Sequence, residues 1–165
     1  NIQNDRPIIG PYEVNKSGSG DMYYKGANML HMIRTMLNDD EKWRSILRGL
    51  NKTYYHQTVT TQQIEQFIID QSGLDLAPIF NQYLRDKHIP TLEYYFKDGY
   101  LYNRFTNSLE GFHMDLPVLI NGSQLDLSPS TRWSRIEFKG SPGDLILIPD
   151  YYIGTLNLLG TDNAD

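Results

Sequence analysis

The chain of 165 residues contains no cysteine. This absence excludes disulfide bonds, thiolate nucleophiles and cysteine-ligated zinc sites. It leaves the compartment open, because a cysteine-free chain folds in oxidising and in reducing surroundings. No apolar run approaches the roughly 20 residues that span a bilayer, so we predict no membrane span in this segment. The first ten residues also lack the basic start and apolar core of a signal peptide.

Concentrated positive charge is also missing. The chain has 15 basic and 20 acidic residues, a net charge of -5, and its Lys and Arg residues are scattered. Nucleic-acid binding needs dense positive charge to displace counterions, so we predict no nucleic-acid partner. The 39% hydrophobic and 21% charged content is typical of a globular chain. Its 12 tyrosines suit half-exposed strands and pocket walls, because tyrosine covers apolar area and keeps a polar tip.

No complete catalytic motif is present. The chain has no G-x-S-x-G, no phosphate-binding glycine loop and no dinucleotide fingerprint. The four histidines are never three or four residues apart, the spacing with which a helix presents two ligands to one metal ion. They are His31, His56, His88 and His113. We therefore predict no metal site in this chain and place His31 on the polar face of its helix.

Hydrophobic periodicity divides the chain. Residues 1–20, which include the SGSG segment, show no period and predict a flexible loop. From about residue 22 to 87 the period is helical, and the Asp39-Asp40 pair marks a helix start. Thr60 and Gln63 match a capping box, Gly73 a helix end, and Asp75 a cap before Pro78. The four predicted apolar stripes are Met29-Ile33-Met36-Leu37 (bordered by Leu30), Trp43-Ile46-Leu47-Leu50-Tyr54, Ile64-Phe67-Ile68 and Leu76-Ile79-Phe80-Tyr83-Leu84.

After Pro90 the period drops to two, which predicts strands. Asp98-Gly99 and Asn121-Gly122 are two-residue hairpin signals. Pro117 falls on the other face of the strand ending at Ile120, which suggests an edge strand. Further strands are predicted at 133–138, 145–148 and 155–159, about seven in all. The predicted class is α+β, with a helical domain over 1–88 and a small antiparallel β-sandwich domain over 89–165.

Tyr23 and Tyr24 stand at the start of the first helix and allow two readings. Aromatic rings at a helix start commonly pack against neighbouring elements. Alternatively, a phenol keeps its proton at neutral pH and can donate it in a hydrogen bond to a developing oxyanion. Gly26 would let the helix approach a neighbour closely. The residues by themselves leave both readings open.

The segment MYYKGANMLHMIR, Met22 to Arg34, resembles the Y-x-K-G-a-x-x-L-x-x-L/I-R segment of the aminopeptidase-N-like zinc metallopeptidases, the gluzincins. DDEKWRSILRGLNKTYYHQTVTTQQI resembles the next helix of that family and its capped successor. Ser72 to Phe96 resembles the passage where the thermolysin-like catalytic domain gives way to a β-sandwich. The likeness covers about residues 7–98. Tyr83 stands where many members have Trp, and His88 where many have Gly.

The resemblance implies a role for one tyrosine. In the family, the tyrosine three residues before the glycine donates a hydrogen bond to the zinc-bound tetrahedral intermediate, and that position is Tyr23. Tyr24 occupies a variable position. The family's H-E-x-x-H, its third zinc ligand and its G-x-M-E-N-type segment lie upstream of the tyrosine and do not occur in this chain.

We therefore expect the downstream part of a zinc-dependent aminopeptidase that supplies Tyr23 but no zinc ligand. The parent enzyme would use zinc and a peptide substrate, and its partner would be the upstream half of the catalytic domain. This chain alone would bind no zinc and hydrolyse no peptide. Family habit favours an extracytoplasmic parent, periplasmic or secreted. The alternative is a non-catalytic binding module of a pseudo-peptidase, whose tyrosine-rich sandwich stacks on sugars or protein.

Overall fold

The computed structural model describes residues 2–12 and 16–159, in which four helices precede seven strands. This order confirms the α+β class. The helices are α1 Tyr24–Leu37, α2 Asp40–Thr53, α3 Thr61–Ser72 and α4 Ala77–Arg85, with a single 3-10 turn at Gly20–Met22 before them. The strands are β1 Thr91–Lys97, β2 Tyr100–Thr106, β3 Leu116–Ile120, β4 Ser123–Leu127, β5 Ser134–Glu137, β6 Leu145–Leu147 and β7 Gly154–Asn157.

Local signals set most of the helix ends. Asp39 caps α2 by accepting the backbone N–H of Lys42 at 2.9 Å. Thr60 and Gln63 form both bonds of the predicted capping box at the start of α3, and Gly73 ends that helix with φ +74°. No helix in the described part of the chain is long and apolar enough to cross a membrane.

The predicted cap of α4 is wrong. Leu76, not Asp75, is the N-cap residue, and no side chain caps this helix start. Oδ2 of Asp75 instead lies 3.0 Å from Nε2 of His113, a residue of the strand region. The Asp75 carboxylate therefore bonds to a side chain distant in sequence and not to the backbone N–H groups at the start of α4. Pro78 lies in the first turn as predicted, where its missing N–H costs nothing.

The helices pack in a closed set of neighbours. α1 contacts α2 and α4, and α3 contacts the same two helices. The buried side chains follow the predicted stripes with three exceptions. Met32 is fully buried and lay outside the prediction, whereas Leu30 at the border of the α1 stripe and Leu47 within the α2 stripe are each 39% exposed. The buried stripe of α1 is therefore wider and turned slightly from the one that the sequence predicted.

The strands form two sheets, with orders β5-β2-β1-β7 and β4-β3-β6. Both hairpin predictions are confirmed: Asp98-Gly99 joins β1 to β2 and Asn121-Gly122 joins β3 to β4, all with φ near +50° or +77°. Positive φ at both central positions matches the twist of antiparallel strands. The sheets are mostly antiparallel. The exception is β7, which pairs with β1 in parallel. That pairing is possible because five strands separate the two in sequence.

The edge-strand prediction for Pro117 is wrong. β3 is the central strand of its sheet, paired with β4 on one side and β6 on the other. Pairing with β6 begins at Val118, whereas Pro117 faces only Asp126 of β4. The missing N–H of the proline therefore interrupts no bond to β6, and a proline is tolerated in a central strand.

Helices and sheets share one set of buried contacts. The buried hydrophobic cluster extends from Met29 on α1 to Leu145 on β6. Tyr83 on α4 is fully buried, and its hydroxyl donates to the carbonyl oxygen of Tyr152 at 2.6 Å. Burial raises the pKa of this phenol. The change from helix to strand falls between Arg85 and Thr91, and the division into domains at 88 and 89 stays a prediction.

The segment before α1 is a loop, as predicted, but it is closely packed. A Cβ at Gly18 would collide with the carbonyl oxygen of Ile8, and one at Gly10 would lie 2.7 Å from the carbonyl oxygen of Lys16. Ser19 is buried and donates its backbone N–H to the carbonyl oxygen of Pro7 at 3.0 Å. The backbone around Gly10 thus packs directly against the backbone around Gly18, which leaves no room for a Cβ. The segment that was predicted to be a flexible loop is therefore a closely packed one. The prediction's residues 1 and 13–15 lie outside the described residues.

Replacing Gly18 with Ala is expected to lower the free energy of unfolding by about 2 kcal/mol, because the new methyl group meets backbone that cannot move aside. Gly20→Ala is the matched control, since a Cβ there meets nothing within 4 Å. Its effect should stay within about 0.5 kcal/mol. Chemical denaturation measures both values, and equal effects would contradict this close packing.

Candidate functional site

Tyr23 stands at the junction between the 3-10 turn and α1. Its backbone is helical, with φ -73° and ψ -59°, and its carbonyl oxygen accepts the N–H of Ala27 at 3.1 Å. Its side chain is 73% exposed, and that of Tyr24 is 61% exposed. Within the described chain both rings therefore project from a regular helix start instead of packing into the core.

Lys25 anchors this helix start. It is fully buried, and its Nζ donates to the carbonyl oxygens of Asp86 at 3.0 Å and Lys87 at 3.2 Å. Burial lowers the pKa of the amine, and the nearby charges of Asp21 and Asp86 oppose that shift. The two carbonyls lie in the link from α4 to β1. The first turn of α1, which carries Tyr23, is thus tied to the junction between helices and sheets.

Asp21 anchors the same point from the other side. It is buried and accepts the backbone N–H groups of Gln3 at 2.9 Å and Asn4 at 2.6 Å. The hydroxyl of Ser19 accepts the N–H of Asp21 at 3.2 Å and donates to Oδ1 of Asp5 at 2.7 Å. Residues on both sides of Tyr23 are therefore immobilised by buried polar contacts, which is the support that a positioned functional group requires.

Sequence reasoning missed Lys25 and Asp21, although one signal was present. Lys25 lies four residues before Met29 and seven before Met32, on the buried stripe of α1. A lysine on an apolar stripe must bury its stem and find partners for its amine. That position predicts a buried amine, but it names no partner, because Asp86 and Lys87 lie 61 and 62 residues further along the chain.

No described residue approaches Gly26 closely, so the expectation of a close neighbour there stays a prediction. A Cβ added to Gly26 would meet nothing within 4 Å among the described residues, so the glycine permits no close helix contact here. It lies beside an exposed apolar strip on the outer side of α1 and the turn before it. The members of this α1 strip are Met22 (48% exposed), Tyr23, Tyr24 and Leu30 (39% exposed). Clustered exposed apolar groups of this kind are typical of interaction surfaces.

Three of the four histidines each meet one carboxylate. His31 is exposed as predicted, with its Nε2 at 2.7 Å from Oδ1 of Asp150. His88 lies 2.8 Å from Asp86, and His113 lies 3.0 Å from Asp75. A hydrogen bond to the backbone of Gly111 and the Asp75 carboxylate raise the pKa of His113.

These pairs do not converge on one another. No group of three or more His, Asp or Glu side chains that could hold a metal ion exists within residues 2–12 and 16–159. What this region offers chemically is two adjacent exposed phenols, Tyr23 and Tyr24, on a fixed helix start, and each can donate one hydrogen bond to an oxyanion.

Comparison with known proteins bears on the fold. No family model matches the sequence, and no curated protein matches it. In three dimensions the chain is similar to the crystal structure of Legionella pneumophila aminopeptidase A in complex with aspartic acid, with a TM-score of 0.61 and 15% sequence identity. The match covers 93% of this chain and 20% of the Legionella chain, so this chain spans about a fifth of the protein that it resembles.

Replacing Lys25 with Met is expected to lower the free energy of unfolding by about 2 kcal/mol, because the carbonyl oxygens of Asp86 and Lys87 lose their donor and the buried Asp21 loses a nearby opposite charge. Amide hydrogen exchange in the first turn of α1 should accelerate. Lys52→Met changes an exposed lysine on α2 and serves as the control. Denaturation and exchange measured together test the anchor, and an unchanged exchange rate at Ala27, whose N–H bonds to the carbonyl oxygen of Tyr23, would refute it.

Proposed function

We propose that the chain is the downstream part of a zinc-dependent aminopeptidase of the gluzincin type, in which Tyr23 stabilises the tetrahedral intermediate. The observation that carries this proposal is the exposure of Tyr23, 73%, on a helix start held by the buried Lys25 and Asp21. The fold similarity to part of an aminopeptidase and the Y-x-K-G segment both support it. Residues 1–88 would complete the catalytic domain, and 89–165 would form the adjoining β-sandwich domain.

The role of Tyr23 follows from the chemistry of a phenol. Peptide hydrolysis develops negative charge on the oxygen of the scissile carbonyl. A donor already fixed in position stabilises that charge without reorganising at the moment of reaction. Such a donor accelerates the reaction only to the extent that it binds the transition state more strongly than the substrate. An exposed hydroxyl on an immobile helix start meets the requirement for a fixed position.

Zinc would be held outside this chain. The described residues do not form a zinc ligand set, and the family that the sequence resembles has its zinc ligands upstream of the tyrosine, so the upstream half of the catalytic domain would hold the ion. That half would cover the α1 strip, and the open space beside Gly26 would admit it closely. The chain contributes the phenol, its mount and this docking strip.

Tyr23→Phe in the intact parent enzyme is expected to lower kcat by roughly 100-fold or more, the scale of losing one oxyanion donor. Tyr24→Phe removes a hydroxyl from the adjacent exposed ring and is the matched control, with kcat expected within about threefold of the parent value. Steady-state kinetics on an aminoacyl anilide, with zinc content measured in parallel, separates the two. Near-normal turnover of the Tyr23 variant would remove that residue from the mechanism.

The isolated chain is expected to bind no stoichiometric zinc and to release no product from the same anilide, because it carries the donor without the metal ligands. Atomic absorption after dialysis and an activity assay measure both properties. Measured stoichiometric zinc or peptidase activity in the purified chain would overturn the assignment as a downstream part. The upstream coding sequence gives a further check: an intact H-E-x-x-H followed by a third glutamate favours the peptidase.

A degenerate motif upstream would favour the alternative, a non-catalytic module of a pseudo-peptidase that binds through its tyrosines. One observation supports a binding role independent of Tyr23. The outer side of the four-stranded sheet carries a group of tyrosines and arginines, with Trp133 among them 41% exposed.

A further inference from the structure

The pairing register of β1, β2 and β5 places aromatic and basic side chains side by side on the outer side of the four-stranded sheet. Tyr95 on β1 faces Tyr102 on β2, which in turn faces Arg135 on β5. Neighbouring positions add further rings and a second arginine. We call this surface the Tyr–Arg face, with the members Tyr95, Tyr100, Tyr102, Arg104, Trp133 and Arg135. It lies opposite the core side of the same strands, where Leu92, Leu101 and Phe105 are buried.

The rings of the Tyr–Arg face are engaged with their neighbours. Tyr95 and Tyr102 are parallel within 3°, with ring centres 4.7 Å apart. This distance equals the spacing between adjacent strands, so the two rings stand upright and present their edges to solvent. Arg104 lies over the ring of Trp133 and Arg135 over that of Tyr100, each at 4.5 Å.

What this surface presents outward is therefore hydrogen-bond donors more than open ring faces. A sugar ring or a nucleobase stacks on an uncovered aromatic face, and here neighbouring side chains already lie against the rings. The guanidinium group of Arg135 also donates to the hydroxyl of Tyr102 at 3.3 Å, which holds it in place. Fixed guanidinium donors match carboxylate oxygens in geometry and charge.

Charge separates this surface from the rest of the molecule. The positions on this side of β1, β2 and β5, together with Lys139 two residues beyond β5, carry four basic and two acidic side chains. The basic ones are Lys97, Arg104, Arg135 and Lys139, and the acidic ones are Glu93 and Glu137. The remainder of the chain holds 11 basic and 18 acidic residues. Arg104 is neutralised by Glu93 at 2.8 Å, so Arg135 and Lys97 are the cations that a partner would meet.

We propose that the Tyr–Arg face docks an acidic peptide segment of a partner protein. Carboxylates would accept from Arg135 and pair with Lys97, while the chain of the segment lies across the upright tyrosine edges. A second copy of this chain docked face to face is a poor occupant, since it would bring the same excess of positive charge to the contact. A sugar or a nucleic acid is disfavoured because the ring faces are already in contact with neighbours.

The test uses the whole 165-residue chain and, as probe, a capped peptide of alternating Glu and Thr. A peptide of alternating Gln and Thr is the neutral control. Trp133 lies in the face and Trp43 is buried in α2, and they are the two tryptophans of the chain. The indole N–H resonance of Trp133 is expected to shift on titration with the acidic peptide while that of Trp43 stays in place. The same titration gives the affinity.

Lys97→Glu combined with Arg135→Glu is expected to weaken binding of the acidic peptide by roughly tenfold or more. Arg44→Glu combined with Arg48→Glu changes the net charge equally on the exposed side of α2, and should leave affinity within about twofold. If charge reversal unfolds the chain, Lys97→Gln with Arg135→Gln carries the test, with an expected loss of roughly threefold.

Several results would overturn the proposal. Equal losses in both pairs of variants would mean that only bulk charge matters. Equal binding of the neutral peptide, an unmoved Trp133 resonance, or no binding at low salt would each refute the acidic site. Tighter binding of oligothymidylate or of a maltooligosaccharide at Trp133 would assign the face to another ligand class. Self-association that the Lys97 and Arg135 variants abolish would assign it to a second copy.

Discussion

The hydrogen bonds of the buried Lys25 amine are the interaction on which the arrangement of the helices relative to the sheets depends. An ammonium group removed from water is costly unless it is hydrogen-bonded, and its partners here are two backbone carbonyls in the link between α4 and β1. The same contact fixes the first turn of α1 and the chain segment where helices give way to strands. Because Asp21 holds the preceding turn, the exposed Tyr23 is presented from a point that cannot shift without disturbing both regions.

The junction around this amine is held by polar groups as much as by apolar packing. Gln82 is fully buried, its Nε2 donates to the carbonyl oxygen of His88 at 2.9 Å, and its Oε1 accepts the N–H of Leu109 at 2.7 Å. Tyr83 donates to Tyr152 from the neighbouring position on α4. Satisfied buried polar groups of this kind specify one relative arrangement, since any other leaves a donor or acceptor unpaired. The helices and sheets thus support one another, and a sheet pair this small gains core from the helices beside it.

Two surfaces remain once this frame is built, and their chemistry differs. The α1 strip is apolar and includes Tyr23, the proposed oxyanion donor, so it suits a partner that buries apolar area. The Tyr–Arg face is aromatic, upright and basic in an otherwise acidic chain, so it suits a partner recognised by charge. Neither surface depends on the other, because one belongs to the first helix and the other to the outer side of the sheet formed by β5, β2, β1 and β7.

Sequence alone determined what short-range chemistry controls. The cap at Asp39, the capping box at Thr60, the end at Gly73 and both hairpins follow from residues within four positions of one another, and each is present in the structure. The Y-x-K-G segment also predicts different roles for Tyr23 and Tyr24; both are exposed in the structure, and the difference stays a prediction. Tertiary structure alone decided that Lys25 bonds to carbonyls about 60 residues away, that Asp75 meets His113 instead of capping α4, and that β7 joins β1 in parallel. These outcomes depend on which distant groups folding brings within hydrogen-bond reach, and no local pattern contains that information.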